Sequence, residues 1–575
     1  MQSQTTELQV FAGGLHMLPA SHLIAQEEAK YIANVNLRKR NLTPFLLPLF
    51  MENAKDSYVY NYQSKFVYYS TFRSNVLYNG IWYWTSLLGS GKVYKDGTEL
   101  PLGISPPILR PEIVAHDPIG GADGLTGNIS YVYTYYDPKS GSESPPSKPS
   151  VTLDLTGINA KQAISITELV QSPDDYEIRL YRIGGIITAY SAVTTLSNGV
   201  FEFTDQLSFT EIQGMLLDTF RAFPPPSGLI YLTEHQGRFF GAVNEQLVYS
   251  PVGKPDSWYA LDFIGFEKVI TGIASTANGL VVMTNDKSWV ITGNRPHLFV
   301  KQLLSESEGC KSFQSIATNE GTAIWLSNSG IVTSNGGKLV NLSINKLGRF
   351  NGIEPFGAAF VDKRYFMSFG SELYPSELLF PSNRLYPATS IDGNWFLPPG
   401  ALVVDFSMGN PSFSTLLDEG LSQLLVHNNM LHQLSYEVPE SQNLVTENTI
   451  NNIVTESGLF NITAQKDTGV TLSQTLEGGE LRELTYVSPL LTEGSIGTLK
   501  QYEKIRVMFR GDIVIKIEDE NNEEMQTEAF SSAKLISVWV GIPVGQNRAH
   551  GIQFKITGNC IVNSIMYNWT PKEAQ

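Results

Sequence analysis

The feature that most constrains the fold is a repeat of roughly forty residues, marked by pairs of bulky strand-forming residues. The pairs are Phe239-Phe240, Val281-Val282, Ile324-Trp325, Tyr365-Phe366 and Leu402-Val403. A period of this length, with several short strands in each unit, is typical of the blades of a β-propeller. The repeat therefore predicts a radial array of small sheets.

Composition agrees with a chain built mainly from strands. Aromatic residues make up 11% of the 575 residues and charged residues only 17%, and flat aromatic rings pack well on the half-buried surface of a sheet. The 49 glycines and 30 prolines supply the turns that many short strands require. The predicted class is therefore all-β, and a chain of this length exceeds one hydrophobic core, so we expect several domains.

The formal net charge of −16 restricts the ways in which the protein can meet nucleic acid. It argues against a basic groove that grips phosphates. It is compatible with a surface past which nucleic acid slides, because acidic walls repel the phosphate backbone. The alternative interpretation is that the charge only keeps the protein in solution.

Targeting and redox features are sparse in this sequence. Met1-Gln2-Ser3-Gln4 lacks a basic region followed by an apolar one, and no stretch approaches the roughly 18 apolar residues of a membrane span. Cys310 and Cys560 lie far apart, which argues against a disulfide framework. We expect synthesis in a reducing cytoplasm and no transmembrane segment.

Shifts in pattern divide the chain into five predicted parts. The repeat stops between Pro106-Pro107 and Pro224-Pro225-Pro226, where short strands are spaced as in a β-sandwich. Adding an early blade, whose Asn79-Gly80 signals a type I′ hairpin turn, gives about six blades. The parts are an N-terminal opening segment at 1-50, a first propeller blade at 51-105, an inserted β-sandwich at 106-226, the remaining propeller blades at 227-440, and a C-terminal β-rich sandwich or cap at 441-575.

The inserted segment also has an order of residues that resembles a known module. Tyrosines alternate within 129–136, Glu143-Ser144 precedes Pro146-Ser147, Leu180-Tyr181-Arg182 follows, and Thr204-Asp205 ends the segment. This pattern resembles fibronectin type III modules. The insertion is therefore predicted to be a fibronectin III-like β-sandwich.

A phosphate-loop-like stretch is the first candidate for chemistry. Gly89-Ser90-Gly91-Lys92 has the glycine and lysine of such a loop, but Ser86 stands at the first glycine position. Val93 also replaces the serine or threonine that would bind magnesium. We interpret the stretch as a turn between blade strands.

Two further groups were considered as metal sites. His427 and His432 lack cysteine or glutamate partners at ligand spacing. The run Glu518–Glu524 lacks the calcium-loop pattern and lies between two strands, so a solvent-exposed hairpin tip is the better interpretation. We predict no catalytic, cofactor-binding or metal-binding residue, no cofactor and no enzymatic activity.

One ordered set of motifs resembles a known family. The set is Pro224-Pro225-Pro226-x-Gly228, Leu232-Thr233, Gly237-Arg238-Phe239, Gly241-Ala242, Tyr249-Ser250-Pro251-x-Gly253, Pro255-x-x-Trp258, Ile270-x-Gly272-Ile273, Leu280–Thr284 and Ile291-Thr292-Gly293-x-x-Pro296. It resembles the tail nozzle proteins of short-tailed bacteriophages, also called tail tubular protein B or tail hub-stabilisation proteins. Gly13-Gly14-Leu15, Asn34-Val35-Asn36 and the sandwich motifs are similar to the same family, although Gly13 stands where that family usually has arginine. The resemblance covers residues 11 to about 300.

The resemblance implies a structural virion protein. It implies a homohexamer in the virion tail, contacting an adaptor or head–tail connector protein, tail fibres or spikes, and the host envelope. Double-stranded DNA would be retained in its channel and then conducted through it during ejection, without specific binding. The sequence does not identify the residues that line or gate such a channel. The alternative is a carbohydrate-binding or glycan-cleaving β-propeller that acts on bacterial surface polysaccharide.

Overall fold

The computed structural model describes most of the chain, and its described residues are almost entirely strands and turns. They are residues 3–17, 20–63, 65–118, 124–156, 162–212, 214–348, 350–351, 353–369, 390–391, 395–396, 399–407, 409–418, 420–436, 470–476 and 478–572. Over these ranges the helices are four short 3-10 turns, Ser21–Leu23, Leu37–Lys39, Pro296–Leu298 and Phe313–Ser315. The predicted all-β class is confirmed.

The chain forms two compact units. The terminal unit comprises Met1–Ser70, Thr276–Val290 and Gln302–Gln575, and the central unit comprises Thr71–Ser275 and Ile291–Lys301. The division between Ser70 and Thr71 falls inside the range 51-105, which was predicted as one blade.

The N-terminal strands belong to the terminal unit. They are β1 Gln4–Leu8, β2 Gly14–Leu15, β3 Glu28–Ala29, β4 Tyr31–Ala33, β5 Leu49–Asn53, β6 Tyr58–Tyr62 and β7 Lys65–Tyr69. Strands β6 and β7 pair as an antiparallel hairpin. The first 50 residues thus provide several short strands for sheets that are completed by later parts of the chain.

The central unit begins with a four-stranded meander and ends with another. Its strands are β8 Ser74–Tyr78, β9 Ile81–Ser86, β10 Gly89–Val93, β11 Glu99–Pro101, β12 Glu112–His116, β13 Asn128–Asp137, β14 Ser142–Glu143, β15 Leu153–Asp154, β16 Ala163–Thr167, β17 Glu177–Gly184, β18 Ile187–Leu196, β19 Phe203–Asp205, β20 Ile230–His235, β21 Arg238–Val243, β22 Gln246–Tyr249 and β23 Phe263–Gly265. Strands β8–β11 and β20–β23 form the meanders. Asn79 and Gly80 have φ of 51° and 78°, which confirms the predicted tight turn between β8 and β9.

Two antiparallel sheets lie between these meanders. One contains β12, β16 and β19, and the other contains β13, β14, β15, β17 and β18. Tyr131, Tyr133, Ile164, Ile166 and Ile178 form part of their shared core, since alternate residues of each strand point inward. The predicted inserted β-sandwich is confirmed.

The boundary between the two units runs through the next group of strands. They are β24 Ile270–Thr276, β25 Gly279–Thr284, β26 Ser288–Thr292 and β27 Val300–Ser305. The bulky pair Val281-Val282 lies in β25 and is fully buried, as the repeat predicts.

The remaining strands belong to the terminal unit. They are β28 Ala317–Asn319, β29 Thr322–Leu326, β30 Ile331–Ser334, β31 Leu339–Asn341, β32 Phe350–Asn351, β33 Pro355–Val361, β34 Arg364–Phe369, β35 Ser390–Ile391, β36 Trp395–Phe396, β37 Gly400–Asp405, β38 Ser412–Leu417, β39 Leu421–His427, β40 Met430–Tyr436, β41 Val470–Gln474, β42 Leu484–Val487, β43 Lys500–Asp519, β44 Glu524–Gly541, β45 Arg548–Ala549, β46 Ile552–Gly558 and β47 Cys560–Pro571. Strands β28–β31 form a meander. A second four-stranded sheet has the order β39-β40-β41-β5, so a strand from the N-terminal part completes it.

A sheet of twelve strands joins distant parts of the terminal unit. Its order is β1-β47-β43-β46-β42-β4-β38-β37-β34-β33, and β44 and β45 pair with β43. Strands of the predicted C-terminal part therefore share a sheet with strands of the range 227-440. Residues 441–469 of the predicted C-terminal part lie outside the described residues.

The class of the fold is thus established in its main components. Four-stranded antiparallel meanders are the unit from which propeller blades are built, and they occur here together with an inserted sandwich and a C-terminal β-rich region. The count of about six blades and the exact sequence boundaries stay predictions.

Gly14 provides a test of the packing around β2. Its φ is 74°, and a Cβ there would lie 2.7 Å from the carbonyl oxygen of Phe413. We expect Gly14→Ala to lower the free energy of unfolding by about 2–3 kcal/mol, because backbone strain and a clash add together. Chemical denaturation of the terminal unit measures this loss.

Gly494 is the matched control for that substitution. Its φ is 81°, but a Cβ there would meet nothing within 4 Å. Gly494→Ala should therefore cost only the conformational strain, about 1 kcal/mol. Equal losses in the two variants would contradict the expected clash with Phe413.

Candidate functional site

A buried cluster of charges lies within the central unit. Lys92 on β10 places its Nζ 3.2 Å from Asp137 Oδ2 and 3.0 Å from Asp256 Oδ2. All three side chains are at most 2% exposed. The lysine of the phosphate-loop-like stretch is thus held between two carboxylates and does not face an open loop.

Hydrogen bonds complete the shell of the two carboxylates. Tyr94 and Ser140 donate to Asp137, and Ser142 donates to Asp256 at 2.6 Å. The backbone N–H of Gly103 donates to Asp256 Oδ1 at 2.9 Å. Burial raises the pKa of Asp137, but the charge of Lys92 and these donors outweigh burial and hold that pKa below its ordinary value.

This arrangement corrects the interpretation of residues 89–92. Gly89–Val93 is strand β10, and the turn lies at Leu87 and Leu88, so the prediction of a turn at these residues was wrong. The glycines allow close packing, since a Cβ on Gly91 would lie 2.6 Å from the Trp84 ring. The buried Lys92 cation, bound by two carboxylates that hydroxyls hold in turn, connects β10, the end of β13 and the segment after β22.

A second buried ion pair lies inside the sandwich. Arg182 on β17 donates from Nη1 to Asp205 Oδ2 at 2.6 Å, and both side chains are fully buried. Tyr131 also donates to Asp205, at 2.7 Å, and Arg182 donates to the carbonyl oxygen of Leu207 at 3.0 Å. The pair joins the two sheets through β17 and β19.

The terminal unit contains an open cleft of about 840 Å³. Its polar lining has three cationic side chains, Lys39, Arg364 and Arg510, against one carboxylate, Asp362. Asp362 is already bound by Arg38, which also contacts Asp405 at 3.1 Å. The cleft is therefore locally basic in a protein of net charge −16.

Arg364 is the most enclosed cation of the cleft. Its side chain is 12% exposed and its Nη2 lies 3.5 Å from Asp362 Oδ2, whereas its Nε is buried without a hydrogen-bond partner among the described residues. Burial lowers the pKa of Arg364, and the nearby charge of Arg38 acts in the same direction. The apolar part of the lining includes Leu535, which is 49% exposed.

The two histidines considered as metal ligands are part of an aromatic cluster. The ring centroids of His427 and His432 lie 5.7 Å apart, and Phe66 packs against both rings. Burial lowers the pKa of His432. Within the described ranges, no group of three or more His, Cys, Asp or Glu side chains is arranged to hold a metal ion.

The acidic run Glu518–Glu524 lies where the sequence predicted it. Strand β43 ends at Asp519 and β44 begins at Glu524, so the intervening residues form a hairpin tip. Asp519 Oδ1 accepts from the backbone N–H groups of Asn521 and Glu523, at 2.9 and 2.8 Å. The predicted hairpin tip is confirmed.

Sequence reasoning missed both the charged cluster and the basic cleft. Asp256 is 164 positions from Lys92, and the residues of the cleft come from seven separate segments. A weak signal for the cluster was available, since Asp256 lies inside Pro255-x-x-Trp258 and Lys92 directly precedes the strand-forming Val93-Tyr94. Cys310 and Cys560 are both buried.

These features define an all-β protein of the propeller-and-sandwich class. Its buried charges in the clusters around Lys92 and Arg182 form ion pairs inside the fold. No helix in the part of the chain that the structure describes has the length and apolar character needed to cross a bilayer.

Comparisons with known proteins give no family for the chain. No protein-family model matches it, and no curated protein sequence matches it. Among solved structures it is similar to the computationally designed Ika8 protein, with 10% identity, coverage of 71% of this chain and 97% of that chain, and a TM-score of 0.26. A glycoside hydrolase family 43 arabinoxylan arabinofuranohydrolase from Bacillus subtilis has 8% identity, coverage of 72% and 93%, and a TM-score of 0.16.

PorZ, a surface component of the type-IX secretion system of Porphyromonas gingivalis, is similar at 11% identity. The match covers 83% of this chain and 78% of PorZ, with a TM-score of 0.18. Likenesses with TM-scores this low carry no argument about function.

Proposed function

We propose that the protein is a non-enzymatic structural component of a bacteriophage virion, the tail nozzle of a short-tailed phage. Six copies form a tube that retains the DNA genome and conducts it during ejection. The tube contacts an adaptor protein on one side and tail fibres or spikes around it, and it meets the host envelope on infection. The chain is synthesised in the host cytoplasm and ends in the virion tail.

The main support is that residues carrying the family resemblance are buried and make hydrogen bonds inside the fold. Asn34 is buried, donates from Nδ2 to the carbonyl oxygen of Glu483 at 2.8 Å, and accepts from the N–H of Leu417 at 2.7 Å. Trp258 is buried and donates from Nε1 to the carbonyl oxygen of Pro255 at 3.0 Å, so both named residues of that motif are joined. Motif residues that hold the fold together favour a scaffold role over an exposed catalytic surface.

The charge of the chain supports the same proposal. A net charge of −16 per chain is multiplied sixfold in a hexamer. Acidic walls repel phosphates, so DNA can move past such a surface without adhering to it.

The oligomeric state of the purified protein tests the proposal. We expect mass photometry to give a particle of six 63.6 kDa chains, and electron microscopy along its axis to show a central pore. We also expect no release of reducing sugar from bacterial surface polysaccharide. A strict monomer that releases reducing sugar would contradict the nozzle and favour the glycan-cleaving alternative.

A further inference from the structure

We propose that the basic cleft of the terminal unit binds the acidic hairpin tip, Asp519–Glu524, of a second copy of this chain. The inference rests on the proposed function, because it names the contact through which copies of the nozzle protein associate. It is carried by the charge of the cleft, by the shape and charge of the tip, and by the distance that separates them within one chain.

The cleft has the chemistry to bind a carboxylate-bearing segment. Lys39 and Arg510 are exposed on its polar side, and Arg364 is largely enclosed with an unpartnered Nε among the described residues. Guanidinium groups pair with carboxylates through several hydrogen bonds, which favours acidic side chains as ligands. The half-exposed Leu535 supplies an apolar wall that a bound peptide would cover.

The hairpin tip has the complementary charge and a fixed shape. Asp519 binds two backbone N–H groups of the turn, and Glu520 Oε2 accepts from the N–H of His550 at 3.0 Å. Glu523 and Glu524 are exposed at the end of the turn. The tip therefore presents carboxylates in an ordered turn, which reduces the entropy lost on binding.

The tip cannot enter the cleft of its own chain. Arg510, which lines the cleft, and Asp519, at the tip, lie on the same strand β43 and are separated by roughly 30 Å at the rise of an extended strand. The outer half of β43 is hydrogen-bonded on one edge to β44 and on the other to β46. Bending it back would break both ladders, so a tip that occupies the cleft comes from another copy.

A contact between different surfaces of identical chains has a consequence for assembly. Each copy offers one tip and one cleft, so every copy can bind two neighbours. Such head-to-tail contacts close into a ring when the rotation between neighbours permits it. The contact is thus of the kind that a hexameric tube requires.

Charge reversal and its rescue test the inference. We expect Glu523→Lys/Glu524→Lys to weaken self-association about tenfold or more, and Lys39→Glu/Arg510→Glu to do the same, because each creates like charges across the contact. All four reversed residues are exposed, so the fold tolerates the changes. The variant that carries both pairs of reversals should regain association, as measured by mass photometry over a dilution series.

A matched control and a covalent readout accompany these variants. Glu202→Lys/Glu245→Lys reverses two exposed acids elsewhere and should leave association unchanged. In a second experiment, Lys39→Cys/Glu523→Cys should give a ladder of disulfide-linked oligomers under mild oxidation. The native Cys310 and Cys560 are buried and do not compete.

The outcomes separate this inference from the proposed function. A wild-type ring that survives both reversals, or a cysteine variant that forms no intermolecular link, overturns the tip-in-cleft contact and leaves the nozzle intact. If Lys39→Glu/Arg510→Glu weakens association but Glu523→Lys/Glu524→Lys does not, and the combined variant is not rescued, the cleft binds a different acidic partner. That result also overturns the inference. A wild-type protein that is monomeric at all concentrations overturns both proposals.

Discussion

Replacement of Lys92 by methionine should lower the free energy of unfolding of the central unit by about 3–5 kcal/mol. The substitution keeps the unbranched part of the side chain, shorter by one atom, but removes the charge that lies between Asp137 and Asp256. Two carboxylates then remain buried, at 2% and 1% exposure, without their cation. Breaking a buried pair in this way costs more than the pair contributes, because the remaining charge is not solvated.

Calorimetry with a matched lysine variant measures this effect. Lys139 contacts Asp96 at 2.5 Å, but both side chains are about half exposed. Lys139→Met should therefore give no measurable change, since exposed ion pairs contribute little. If both variants unfold at the wild-type temperature, the charge of Lys92 does not stabilise the cluster.

The loss caused by Lys92→Met should depend on pH. In the wild type the pKa of Asp137 is lowered, so its stabilising contribution is present above the unfolded value, about 3.9, and is lost as pH falls below it. In the variant, burial without the cation raises the pKa of Asp137, so acid relieves the penalty. The difference between the two proteins should shrink between pH 7 and pH 4. A constant difference would show that the lost stability is not electrostatic.

Replacement of Arg182 by methionine should destabilise the sandwich by a similar amount, about 3–5 kcal/mol. The change leaves Asp205 fully buried with only the hydroxyl of Tyr131 and the backbone as donors. It also leaves the carbonyl oxygen of Leu207 without its guanidinium donor. Denaturant unfolding of the full chain, followed by tyrosine fluorescence, measures the loss.

The double variant Arg182→Met/Asp205→Leu distinguishes charge from packing. Removing both charges replaces a buried ion pair with apolar side chains, which is often close to neutral. We expect the double variant to regain at least half of the stability that Arg182→Met loses. A double variant less stable than either single one would mean that shape and hydrogen bonds at this site matter more than the uncompensated charge.

Local features of the fold were predictable from the sequence because local chemistry determines them. Asn79-Gly80 forms its turn since both residues accept positive φ. The acidic run at 518–524 forms a tip because its charged side chains favour solvent over a strand interior. The bulky pairs of the repeat, such as Phe239-Phe240 and Ile324-Trp325, lie in buried strands as expected.

Pairing between distant strands was not predictable in the same way. Strand β5, Leu49–Asn53, is exposed throughout and has no alternating pattern. Nothing in its residues specifies β41 as its partner, because one pleated edge offers the same hydrogen bonds as another. For the same reason the sequence separated residues 441-575 from strands with which they share a sheet. The charged cluster also escaped prediction, since Lys92 meets Asp256 only through the tertiary fold.

The pairing of β5 with β41 has a consequence for biosynthesis. Leu49–Asn53 leaves the ribosome more than 400 residues before its partner Val470–Gln474. At translation speeds of about 5–20 residues per second, the early strand waits tens of seconds for its ladder. The nascent chain therefore completes this sheet only after β41 has emerged, which delays maturation of this region well beyond the synthesis of β5.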